Sequence, residues 1–475
     1  MFTSHFKSAS ESIPNQYARL LQDKEERTLL KAGDDIYPID HIPPGGLSLS
    51  TGQYVFTKDL EFTPPFGDMT AIKIVGNGVS LDMGGFKLTA TGSNKTTTFG
   101  IQVMAGEHTV IENVTVKNGH IHNFGVNGLS AIRTNQLVVD NVQVHELTYP
   151  IFDIVPTAFF LDQANSFEVY NCKVIKMDVI AMTASAFLVA NSAMGILYNN
   201  HVDGFKNSDG VAGAFVLDSC SFIRTLECTA KNLQTVSQGS PLSTIGHTCI
   251  GFMPTSSNNL VYSNCVADTL LGCCDDCHGM SLFSVNNVSV DNFRAYRVYD
   301  GLGSQKTGAK ATGVEVYGSN ITVTNSHAED ISSIDPQDLQ ATGFSACGAN
   351  ITFSNCSAHK VLTSGPDAPG KDYEFGTGFG WAPDPRPQFV KPAVDITYEN
   401  CTATQCQIGF DTWNHQNSNW KENSFESCET PIKIQPYGTV RVYRMNFCSE
   451  LPKSKPGDPF KNFPIYNCAM DNTVD

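Results

Sequence analysis

Along most of the chain, apolar and polar residues alternate in short runs that end in Asn. The clearest are Leu137-Val-Val-Asp-Asn141, Phe167-Glu-Val-Tyr-Asn171, Ile196-Leu-Tyr-Asn-Asn200 and Leu260-Val-Tyr-Ser-Asn264. Val288-Ser-Val-Asp-Asn292, Ile321-Thr-Val-Thr-Asn325, Ile351-Thr-Phe-Ser-Asn355 and Ile396-Thr-Tyr-Glu-Asn400 continue the series, and weaker copies end at Asn113, Glu227 and Asn423. A Gly or Ala with an apolar follower precedes the Asn, as in Ala186-Phe187, Gly251-Phe252, Gly279-Met280, Gly313-Val314 and Gly343-Phe344. A Cys-x-Ala run follows it, as in Cys265-Val-Ala267, Cys356-Ser-Ala358 and Cys401-Thr-Ala403. Alternation of this kind spells strands, and no helix-length segment interrupts the repeat.

Each period of about thirty residues holds three short strands, and self-similarity at that spacing marks a solenoid. A lone coil cannot bury its inner face. Coils stacked at roughly 4.8 Å pair their backbone groups with the coils above and below. Like residues then stack on like, so Asn can bond along the axis at one corner while Cys, Ala and Phe columns fill the interior. The expected fold is all-β, a parallel β-helix of about 12–13 rungs with three strands per rung. Residues 16–31 read as an amphipathic helix that covers the N-terminal edge, because open solenoid ends need covers. The expected organisation is a segment 1–50 with that helix, a β-helix at 51–448 and a capping tail at 449–475.

The Asn-turn ladder resembles that of the right-handed parallel β-helix proteins of the pectate-lyase-like superfamily. The stretch Ile74-Val-Gly-Asn-Gly-Val-Ser-Leu-Asp-Met83-Gly-Gly is similar to a first rung in such folds. The resemblance, with the right-handed crossover rule, implies the handedness. It also implies a polysaccharide lyase, glycoside hydrolase or epimerase whose groove is walled by the third turn and the strand after it. The longest connections, 231–248, 297–311 and 359–376, fall on that flank, and variable loops on a rigid scaffold are where function sits. Polygalacturonase-type hydrolases of this fold carry Asn-Thr-Asp and Asp-Asp motifs, which Asn207-Ser-Asp209 and Asp275-Asp276 resemble. Asp209 lies more than two rungs from Asp275 and no Gly-His-Gly is present, so that assignment is not carried over.

Composition narrows the partners. The 475 residues carry a formal charge of −16, which disfavours nucleic acid and makes a polyanionic substrate harder to bind. No apolar run is long enough to span a membrane. The cysteines number 15, odd and mostly at one repeat position, so they read as free thiols rather than a disulfide framework. With no apolar leader at Met1–Lys7, a cytoplasmic location is the default, and export by another route stays open. Asn-x-Ser/Thr matches at Asn94, Asn113, Asn287, Asn320, Asn350, Asn355 and Asn400 mostly coincide with the repeat and read as structural.

The densest chemistry is Cys273-Cys-Asp-Asp-Cys-His278, just before Gly279. Aligning coils on their Gly puts Asp275 over His247 and Cys277 over Cys249. Three readings follow: an acid/base pair of His278 or His247 with Asp275 or Asp276, a metal site using Cys249 and Cys277, or plain extension of the thiol column. Glu315 points outward one rung further on, at a separation glycosidases use. Polar columns on the third strand, Arg294/Tyr296, His327/Glu329 and Ser357/His359, read as substrate contacts, as a divalent-ion site or as a solvated face. No cofactor is required by these residues. An outward apolar stripe, Phe160, Leu188, Val216 and Met253, implies cover by loops, a second copy of the chain or an apolar ligand. Three functions stay open: a carbohydrate-active enzyme, a non-catalytic solenoid that binds a partner, and an enzyme for a small apolar molecule.

Overall fold

The computed structural model describes residues 36–447 except 105, 107, 150–154, 209, 237–246, 274–275, 302–309, 334–339, 364–375, 381–392, 412–414, 434–439 and 443–444. The helix expected at 16–31, the tail from Leu451, and Asp209 and Asp275 lie outside them. The rest is a right-handed parallel β-helix in which the described strands join one continuous sheet. Every strand pairing is parallel and links one coil to the next, from Ile36–Ile39 against Gly52–Phe56 to Asn423–Glu426 against Met445–Phe447. No helix among the described residues is long and apolar enough to cross a membrane.

The repeat is a register. Phe159, Phe187, Phe215 and Phe252 are neighbours in successive coils, their rings stacked 4.7, 4.9 and 4.9 Å apart. Farther along, Phe344, Phe379 and Phe410 resume the column at 5.0 and 4.9 Å. Trp420 is fully buried against Tyr398 and Phe410, a core residue and not a sugar platform. All described cysteines are free, buried thiols.

The corner Asn form the expected ladder. Asn292 donates its amide to Asn264 at 2.7 Å, and Asn355 donates to Asn325 at 3.3 Å. Between them Asn325 bonds Asp291 at 2.7 Å, so the column is continuous in backbone but mixed in its side-chain bonds. These residues sit in the left-handed region, Asn264 at φ 55, Asn292 at φ 51 and Asn325 at φ 51, a conformation Asn tolerates better than other non-glycine residues.

Three corners differ from the sequence reading. Asn141 bonds Asn118, not Asn113; Asn113 belongs to another corner, beside Gln136. Asn199, not Asn200, bonds Asn171 at 2.8 Å. Glu422, beside Asn400, holds the corner expected for Asn423. Asn200 and Asn423 instead turn inward and cap backbone groups, Asn200 taking Cys172 N–H at 2.9 Å and Asn423 taking Cys401 N–H at 2.8 Å. The reason is that left-handed residues recur through each coil, as at Asn287, Asn292 and Arg297, then Asn320, Asn325 and Asp330. Several corners therefore favour Asn, and a doublet lets the motif slip by one place.

Candidate functional site

Gly279 and Gly313 explain how the site is placed. A Cβ at Gly279 would lie 2.8 Å from the Ala295 methyl and 2.5 Å from the Gly313 carbonyl oxygen. One at Gly313 would lie 2.6 Å from the Ala328 methyl and 2.6 Å from the Gly343 oxygen. The Gly mark and the Cys-x-Ala mark are thus two halves of one contact, where the first strand of a coil crosses close over the third. Flanking residues in the strands Cys277–Asp291 and Lys310–Thr324 are fixed in register by it: Cys277 beside Ala311, His278 beside Thr312, Ser281 beside Glu315.

That register assembles a cluster from two coils. His278 Nε2 lies 3.6 Å from Asp276 Oδ2 and 3.7 Å from Glu315 Oε2, so both carboxylates converge on one imidazole nitrogen. Ser281 Oγ donates to Glu315 Oε2 at 2.9 Å, and the Lys310 ammonium pairs with Glu315 Oε1. Lys310 also stands over the Tyr317 ring, 5.6 Å from its centre. Burial works against the Lys310 charge, yet Glu315, Asp276 and Tyr317 outweigh it and hold the ammonium well above its usual range. Lys310 is therefore a fixed cation, not a neutral base. The side chains of His278, Glu315 and Lys310 are 3%, 5% and 6% exposed, and that of Asp276 is 21%, so Asp276 is the member that meets solvent. His278 Nδ1 is buried with no hydrogen-bond partner among the described residues.

The other candidates fall elsewhere. Cys277 does stack beside Cys249, but both are fully buried in the interior. Burial first, and then Cys249, push the Cys277 thiol well above its ordinary range. His247 is buried one coil away, its carbonyl taking the Thr235 hydroxyl at 3.0 Å. Asn207 is structural: its amide bonds the carbonyls of Ala181 and Val211 at 2.9 and 2.8 Å.

Arg294, Tyr296, His327, Glu329 and His359 stack on the third strand as read, a different face from the cluster. Arg294 is exposed. His327 meets Ser357 Oγ at 2.7 Å and Glu329 Oε2 at 3.1 Å, and its ring tilts against Tyr296 at 5.7 Å. Asp268 is taken by Arg297, which reaches it at 2.8 and 2.6 Å. The apolar stripe is in register, with Val216 buried and Phe160, Leu188 and Met253 half-buried.

Two sets of residues escape the sequence reading. Lys310 has no counterpart in the repeat, yet counting back from Gly313 as from Gly279 places it beside Asp276. His120, His122 and His145 lie on the third-strand face, two and four places beyond their corner Asn. Taking Asn113 as the corner instead of Asn118 hides the first two.

No protein-family model and no curated protein sequence matches the chain. Several solved structures are similar to it. The A-module of the Azotobacter vinelandii mannuronan C-5 epimerase AlgE4 is 10% identical, over 82% of this chain and 91% of its own, at a TM-score of 0.43. The catalytic domain of a GH87 α-1,3-glucanase in complex with nigerose is 12% identical, over 93% of this chain and 68% of its own, at 0.39. The Streptococcus pneumoniae surface protein and adhesin PfbA is 9% identical, over 84% of this chain and 92% of its own, at 0.36.

Proposed function

We propose that the chain is a carbohydrate-active enzyme that works by acid/base catalysis at Asp276, His278 and Glu315. Architecture does not choose the function, since sugar-processing enzymes and an adhesin share it. The observation that carries the reading is two carboxylates from neighbouring coils meeting at one imidazole nitrogen. In it, Asp276 faces the substrate and exchanges the proton with His278 Nε2, and Glu315, fixed by Lys310 and Ser281, holds that nitrogen in place. Contacts of 3.6 and 3.7 Å are long for hydrogen bonds, and such contacts tighten when substrate binds. Among the described residues the one ammonium in the cluster is already paired with Glu315, and the chain carries −16 overall, which favours a neutral glycan over a polyuronate.

A second reading has one observation in its favour. Lys310 and Glu315 are almost fully buried and neutralise each other, as a structural ion pair in a non-catalytic solenoid would. A panel of neutral and acidic glycans separates the two. Reducing ends report hydrolysis, unsaturated products report a lyase, and inverted sugar centres by NMR report an epimerase. His278→Gln is expected to fold and to lose about 100- to 10,000-fold in kcat, the range for one acid/base group. Silence of the folded wild type on the whole panel defeats the enzyme reading, and full activity in His278→Gln defeats the assignment of the site.

A further inference from the structure

Far from that cluster, three histidines from two adjacent coils meet on the outward face of the third strand. His120 and His122 close the strand Ile111–His122, and His145 closes Thr134–His145 in register with His122. One nitrogen of each lies within 4.8 Å of the other two, the sole such trio of His, Cys, Asp or Glu among the described residues. The His122 and His145 rings stack at 4.4 Å and 5°, and the His120 ring centre is 5.6 Å from that of His145. All three are half-buried.

Stacking alone leaves this arrangement unexplained. His122 Nε2 is buried with no hydrogen-bond partner among the described residues, which is rare for a polar atom without a ligand or water to answer it. The surroundings keep the rings uncharged. His145 is pushed down to about 4, by burial first and then by His122, His120 and Lys87 against the pull of Glu146. Burial and then Lys87 lower His122 and His120 as well, with Asp59 opposing. Neutral imidazole is the form that ligates metal.

We propose that His120, His122 and His145 bind a divalent ion of the zinc type, three imidazoles leaving a fourth position to water. Imidazole suits zinc, copper and nickel, and three protein ligands with one open position is the pattern of reactive zinc sites. Donors around tetrahedral zinc lie about 3.4 Å apart, so the His122 and His145 rings pivot out of their stack to close on the ion. Lys87 is the cation that opposes charge on these rings, and Asp59 and Glu146 offset it. The ion clips two coils together.

The test uses tag-free full chain stripped with a chelator and titrated with zinc by calorimetry. One equivalent is expected to bind and to raise the melting temperature. His122→Ala and His145→Ala should each weaken it by about 100-fold or more, since even groups behind a ligand cost about 10–100-fold. His201→Ala, on the same face farther along, should bind as the wild type does. Cobalt in place of zinc should show no sulfur-to-metal charge-transfer band, which separates the site from the buried thiols. Circular dichroism confirms folding, and His120→Gln replaces either alanine variant that fails to fold. No saturable site, unchanged affinity in the folded variants, or a sulfur band overturns the proposal.

Discussion

At the scale of single residues, position along the axis decides chemistry more than identity does. Asn292 and Asn200 have the same side chain, yet one holds a left-handed corner and the other caps a buried N–H. His122 and His278 likewise differ in what faces them: two imidazoles in one case, two carboxylates in the other. The histidine trio makes stability depend on pH. Its members bind protons less readily folded than unfolded, where a histidine titrates near about 6.5. Their contribution is complete above that pH and is lost as pH falls toward about 4, the value for His145. In metal-free protein the melting temperature should drop across that window, and His145→Gln should flatten the drop. An unchanged slope in the variant would assign the acid sensitivity to other groups.

At the scale of the strand, each sequence mark answers to one contact. Gly313 stands where it does because the Ala328 methyl crosses beneath it. Gly313→Ala should cost about 1–3 kcal/mol, the usual range for forcing a methyl into a packed core. Urea denaturation measures it, and wild-type stability in that variant would mean the crossing is looser than described. Strands, their order and the inward columns were legible in the sequence because they follow period-two alternation, which burial enforces. The stacking of Cys277 on Cys249 was legible for the same reason. Lys310 was not, because it obeys no repeat; it becomes visible only when coils are aligned on Gly313. The histidine trio was hidden by a slip of corner, since Asn113 and Asn118 are both left-handed and local pattern cannot tell them apart.

At the scale of the whole molecule, the solenoid converts distance along the chain into adjacency along an axis. Asp276 stands just before one strand and His278 near its start, Lys310 and Glu315 lie at the start of the next, and the chain between them is the remainder of the coil. Sequence alone paired His278 or His247 with Asp275 or Asp276, set Glu315 one rung further on, and placed Arg294 and Tyr296 on the third strand, which lies around a corner on another face. Alignment of coils fixes height along the axis, and the corners fix the side.

The central claim is that residues 278 and 315 act as one unit. A double-mutant cycle of His278→Gln and Glu315→Gln, read in kcat/KM on whichever glycan the panel identifies, addresses it directly. Groups that act together are far from additive, so the double variant should be no slower than the slower single variant. Losses that multiply, with each substitution reducing the rate independently of the other, would contradict it.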